Sequence, residues 1–147
     1  MVDIALKESI NKVFDQNPSL DAVIFTELIS IKTTYQNNAT RTAQWHGVTR
    51  KVKVQGLGEG VNDSFNWSQP VDAISVSIYV FNRDQNLILH SIGGIQVAQA
   101  LELQNKRAIF KRRKDLLINE EEILEGVSLA LYPLISMKNY PSTKAKL

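Results

Sequence analysis

The chain contains no cysteine. That one gap removes disulfide frameworks, thiol nucleophiles, cysteine-ligated zinc and iron–sulfur clusters together. Histidine is almost as scarce. Only His46 and His90 occur, and neither has a second histidine or a carboxylate at the three- or four-residue spacing that lines ligands up on one helix face. The nucleophile-elbow, Walker and H-E-x-x-H patterns are all missing. No apolar run reaches the roughly 18 residues of a membrane-spanning helix. The first residues, MVDIALKESINKVF, carry charge at Asp3, Lys7 and Glu8 and so do not form the apolar core of a signal peptide. An export segment, if the protein uses one, is expected outside these residues.

What remains is ample for one folded body. The 147 residues are 44% hydrophobic and 22% charged, enough to bury a core without staples. Net charge is only +2, but it is unevenly spread. Lys106, Arg107, Lys111, Arg112, Arg113 and Lys114 precede the acidic trio Glu120, Glu121 and Glu122, a local dipole more than a global field.

Leu6, Ile10, Val13 and Phe14 recur at helical steps and predict an amphipathic helix over 3–16, stopped by Asn17 and Pro18. From Leu20 to Gln36 the β-branched and aromatic content predicts a strand, buried at its start and half exposed at its end. Asn37 to Gln44 is polar and reads as a hairpin-tip loop. Val48 to Gln55 alternates, with Val48, Val52 and Val54 on one face and Thr49, Lys51 and Lys53 on the other. It reads as one solvent-facing strand with lysines suited to a sheet edge. Gly56 to Pro70 has three glycines in its first five residues and reads as the longest loop.

The strongest fold signal is Val71 to Ala98. Two long strands, Ala73 to Phe81 and Leu87 to Val97, flank the polar turn Asn82-Arg83-Asp84-Gln85-Asn86. The pair Gly93-Gly94 marks a bulge, a bend or a close backbone approach. Beyond it strand and helix remain open, with a short strand expected near Arg107 to Phe110. Asn119 followed by three glutamates predicts a capped helix start, continued by Ile123, Leu124, Val127, Leu131 and Leu134 on one face. Pro133 bends or ends that helix, and residues 136–147 read as a loose tail after a single domain over 1–135.

Candidate chemistry is thin. His46 and His90 read first as ordinary structural histidines. Gly56-Leu57-Gly58-Glu59-Gly60 lacks the following helix and lysine that a phosphate loop needs. Trp45, Phe65 and Trp67 suggest either an exposed aromatic platform for a partner or, preferably, a plug for the open end of the sheet. The run KRAIFKRRK suggests contact with phosphates, yet it holds one aromatic and is followed by acids, so a solvated strand is preferred. Asn38, Asn62 and Asn66 stand in glycosylation sequons, read as chance.

The segments DAVIFTEL, WHGVTRKVKV, FNWSQPVDAISVSIYVFNRDQNLILHSIGGIQ and FKRRKDLLINEEEILEGVSLALYPL resemble small bacterial envelope lipoprotein domains. These are similar in layout to the periplasmic α/β domains of curli-assembly and exopolysaccharide-export lipoproteins and, more remotely, to the amino-terminal domain of TolB. The resemblance spans residues 3–135 and rests on the order of helix, Asp-Ala strand, long meander and closing helix. The lipid-bearing cysteine and first strand of such domains have no counterpart here. It implies a non-enzymatic scaffold or ring-forming subunit in the periplasm, associated with the outer membrane, without cofactor or metal. Its partners would be other envelope proteins or further copies of the chain.

The expected architecture is α+β, an antiparallel sheet of four or five strands with both helices packed on one face. Partner contact is expected at Trp45, Phe65 and Trp67, at Lys106, Arg107, Lys111, Arg112 and Arg113, or at a sheet edge near Lys51 and Lys53. A second reading is an intracellular module that binds nucleic acid or another polyanion through 106–114. A third is an enzyme with an unfamiliar site, tested first at His46, His90, Glu59 and Asp63.

Overall fold

A computed structural model describes residues 4–37, 39–56, 61, 64–104, 107–132 and 134. The order of elements is α1 (Ile4–Gln16), β1 (Ala22–Thr33), β2 (Thr42–Trp45), β3 (Val48–Lys51), β4 (Val54–Gly56), β5 (Val71–Asn82), β6 (Leu87–Val97), β7 (Gln99–Gln104), β8 (Arg107–Arg112) and α2 (Glu120–Leu131). The fold is α+β with mostly antiparallel pairing, as expected, but the strands form three small sheets, not one. Their orders are β1-β5-β6, β2-β3 and β4-β7-β8, with β4 parallel to β7.

The central sheet is built from the segments with the clearest alternation. β1 pairs with β5 from Ala22↔Asn82 to Thr33↔Val71 without a break, and β5 pairs with β6 through two register shifts. Because strand side chains alternate in direction, Val76, Ile78 and Val80 face one way and Ser75, Ser77, Tyr79 and Phe81 the other. α2 packs on the first set through Ile123, Val127 and Ala130. α1 packs on the second, where its buried Ile10 and Phe14 meet Val23 and Phe81. The two helices therefore cover opposite faces. The expectation of a shared face fails because helical periodicity shows that a stripe is buried, not which side of the sheet receives it.

α2 starts where its residues dictate. Asn119 accepts from the amides of Glu121 and Glu122, and the three glutamates lie at the positive end of the helix. Pro133 lies outside the described residues. α2 reaches the sheet closely because glycine faces glycine. A Cβ on Gly93 would stand 2.7 Å from the Gly126 carbonyl carbon, and one on Gly126 would stand 2.6 Å from the Gly94 oxygen. Of the bulge, bend or close approach expected at Gly93-Gly94, the close approach is present, and a register shift follows at Ile95.

The stretch Val48 to Gln55 is not one strand. It breaks at Val52 and Lys53, so β3 pairs with β2 while β4 joins β7. β2 and β3 meet across His46 and Gly47, whose φ angles of 41° and 83° are of the positive sign that tight two-residue hairpins demand. This hairpin, not Asn37 to Gln44, carries the turn. Its Ala43, Trp45 and Val48 pack on Val71, Ala73 and Val97, on the same sheet face as α1 but at the other end. The ambiguous segment after Gly94 is strand: β6 runs almost directly into β7 across Ala98, carrying the chain from the central sheet to the third.

Candidate functional site

β3 brings a charged side chain into the interior. Arg50 has the same parity as Val48 and Val52, so it points with them to the buried side, and its side chain is 9% exposed. Its Nε donates to the Ile95 carbonyl at 2.7 Å, and its Nη1 lies 2.8 Å from Glu125 of α2, which is 2% exposed. Glu122, one turn earlier, stands 3.7 Å away. Gln96 of β6 ties this group to the loop before α2, donating to Glu122 at 3.1 Å and accepting from the Leu117 amide at 2.7 Å. Arg50 Nη2 is buried and has no hydrogen-bond partner among the described residues.

Beside this network lies a cavity of about 240 Å³ whose wall includes Tyr35, Arg50, Lys51, Lys53, Arg113 and Asn119. Each comes from a different stretch of chain except the neighbours on and just after β3. Arg113 follows β8 and is fixed by Asp115 at 3.1 Å and by the Val97 carbonyl at 3.2 Å. Lys53 reaches the same carboxylate. Hydrogen bonds from Arg113 and Lys53 hold Asp115 well below the usual carboxylate range. Burial pushes the Tyr35 hydroxyl up to about 12, against the opposing pull of Arg113, so it keeps its proton at neutral pH. The wall thus brings together ammonium, guanidinium, phenol and amide donors with one carboxylate, that of Glu122.

The residues singled out from sequence fall in several places. Trp45 is buried, 7% exposed, and its Nε1 donates to Ser75 Oγ at 3.1 Å. It belongs to the core under the hairpin and not to an exposed surface. Phe65 and Trp67 are half-buried, edge-on to each other at 4.9 Å, and both lean on Phe110, which in turn stacks on Tyr35 at 5.7 Å. They cap β8 and the foot of β1 in the way a plug does, with Arg41 over the Trp67 ring at 4.3 Å.

The basic run is divided. Lys106 lies outside the described residues. Lys111 sits 3.3 Å from Glu102 of the paired strand, and Arg113 is a structural cation of the cavity. Arg107 and Arg112 are exposed. Lys51 and Lys53 line the cavity, which gives them a different role from the open sheet edge expected for them.

His46 and His90 each meet a serine of β5. His46 Nδ1 is 2.7 Å from Ser75 Oγ, and His90 Nε2 is 2.9 Å from Ser77 Oγ. Ser75 and Ser77 are 0% and 1% exposed, and a nucleophile must reach its substrate. Among the described residues neither ring hydrogen-bonds a carboxylate, and each ring gives a buried serine hydroxyl its partner. His90 is further stacked on Tyr79 at 4.2 Å, and Tyr79 donates to Glu27 at 2.9 Å. Glu59 and Asp63 lie outside the described residues. Among the described residues no group of His, Asp and Glu is arranged to hold a metal, and no helix is long and apolar enough to cross a membrane.

A different feature escaped the sequence reading altogether. β1 is twelve residues long, pairs with β5 alone among the described residues, and leaves Ile24 and Leu28 more than half exposed. α2 packs mainly on the β5–β6 side of this face. No family model, curated protein or solved structure matches the chain.

Proposed function

We propose that this chain is a non-enzymatic interaction module that associates through the open edge of β1, with a second copy of itself as the partner. The observation that carries the reading is that edge. A strand paired on one side presents a row of unsatisfied N–H and C=O groups, and edges not meant for pairing are blunted by charge, proline or brevity. β1 has no proline and spans twelve residues. Its charges are engaged inside the chain, Glu27 by the Tyr79 hydroxyl and Lys32 by Asp72 at 2.6 Å.

Antiparallel pairing of two β1 strands about Thr26 sets Ile24 of each copy opposite Leu28 of the other. On the reverse face it sets Val23 opposite Ile29. The two exposed aliphatic residues of each copy then cover one another, and the three-stranded sheets join into one of six strands. The resemblance to envelope lipoprotein domains that act as scaffolds or ring-forming subunits supports the same kind of role. On that resemblance the protein works in the periplasm, near the outer membrane.

Sedimentation equilibrium tests the association. The expected mass is twice the 16.5 kDa of one chain, returning to a single chain in the double variant Ile24→Lys/Leu28→Lys. A wild-type chain that stays at 16.5 kDa across the concentration range, or a dimer indifferent to that variant, overturns the reading. Cell fractionation checks the placement: recovery of the natural gene product with the cytosol alone would exclude the periplasm.

A further inference from the structure

We infer that the cavity between β3, the β6–β7 junction and the start of α2 is a binding site for a compact phosphate group. This goes beyond the association through β1 and does not depend on it.

The charge balance of the cavity leaves room for an anion. Arg50, Lys51, Lys53 and Arg113 stand on its wall. Glu122 shares the wall, while Glu125 and Asp115 bind Arg50, Lys53 and Arg113. Four cations facing three carboxylates leave one net positive charge. Lys51 carries it, since it forms no ion pair among the described residues. Arg50 also has an Nη2 that is buried without a hydrogen-bond partner, a costly arrangement that leaves the guanidinium under-satisfied beside the cavity.

The donors also have the right spread. The Tyr35 hydroxyl comes from beyond β1, the two cations from β3, and the Asn119 side chain from the cap of α2. Donors converging from several elements suit a tetrahedral oxyanion better than a planar carboxylate, which one guanidinium fork can satisfy. The burial that keeps the Tyr35 proton in place preserves it as a donor throughout the neutral range. At about 240 Å³ the space is smaller than the roughly 300–1,000 Å³ of a drug-sized site, so the guest is a phosphate with at most a small substituent.

Glu122 is the internal competitor. Its contact with Arg50 is 3.7 Å, against 2.8 Å for Glu125, so it is the looser partner that an arriving phosphate displaces. The two kinds of variant therefore act in opposite directions. Lys51→Ala removes attraction, and Glu122→Gln removes competition and repulsion.

Inorganic phosphate titrated at constant ionic strength, followed by amide shifts in two-dimensional NMR, tests the site. Saturable shifts are expected at Arg50, Gln96 and Asn119. Lys51→Ala, an exposed position that leaves the core intact, weakens binding about tenfold. Glu122→Gln tightens it. Shifts that grow linearly without saturating, equal affinity in the wild type and both variants, or tighter binding of acetate than of phosphate would each overturn the assignment.

Discussion

A Cβ atom built on Gly93 would stand 1.8 Å from the carbonyl oxygen of Gly126. The backbone of β6 and the backbone of α2 meet there with nothing between them. No rotamer relieves such a clash, because what would have to move is main chain on both sides. Gly93→Ala and Gly126→Ala are each expected to cost about 3 kcal/mol or more, read from denaturant midpoints. A loss below about 0.5 kcal/mol would mean that helix and sheet can separate freely.

Arg50 and Glu125 form a pair in which each charge depends on the other. Arg50→Met is expected to destabilise by about 3–5 kcal/mol, because Glu125 is left charged in the interior. The double variant Arg50→Met/Glu125→Met should recover most of that loss, since a well-filled apolar pair of similar size replaces a desolvated ion pair. Urea unfolding of the two singles and the double gives the coupling directly. Additive losses would show that the two side chains do not stabilise each other.

Ser75 accepts from Trp45 and meets His46 at the same hydroxyl. Ser75→Ala leaves both ring nitrogens without their buried partner and is expected to cost about 1–3 kcal/mol. The indole environment supplies an independent check. The emission of Trp45 should be blue-shifted relative to free tryptophan, and Trp45→Phe should remove that component and leave the redder Trp67. Emission from the wild type at the wavelength of tryptophan in water would contradict the buried ring.

Acid should weaken the fold through Asp115. Its folded pKa lies well below the usual value, so its contribution is complete above about pH 4, the unfolded range, and is lost as pH falls through the folded value. The wild type should therefore lose stability from about pH 4 downward, and Asp115→Asn should show a shallower decline. Carboxyl carbon shifts are the direct reading: Asp115 is expected to remain ionised at about pH 3, when most exposed aspartates have protonated. Titration of Asp115 near pH 4 would mean that Arg113 and Lys53 do not hold it in solution.

The parts of the fold written in strict local pattern were legible. α1 and α2 carry helical stripes, Asn119 with three glutamates marks a cap, and β5 and β6 alternate around a turn of five polar residues. Harder to read were features decided by partners far along the chain. The turn at His46-Gly47 was missed because histidine is not a usual hairpin residue, although it tolerates positive φ better than most. The break between β3 and β4 depends on β7 capturing Val54 to Gly56, some fifty residues away. Arg50 was the one legible clue left unused: a charge at the parity of Val48 and Val52 is a charge on the buried face. The cavity has no sequence signature, because its wall is gathered from β1's end, β3, β6, β7 and α2.

The uninterrupted pairing of β1 with β5 sets an order of events when the chain folds. β5 and β6 are joined by a short turn and can close as a local hairpin, whereas β1 must find a strand that begins at Val71 and ends at Asn82 across all of the chain between. Loop closure of that length makes β1 a late arrival. Until it docks, β5 is itself a bare edge, already rich in Val and Ile. The nascent hairpin therefore passes through a stage in which its own central strand is exposed to other chains, and the speed with which β1 closes that gap governs how much of the protein reaches the folded state at high concentration.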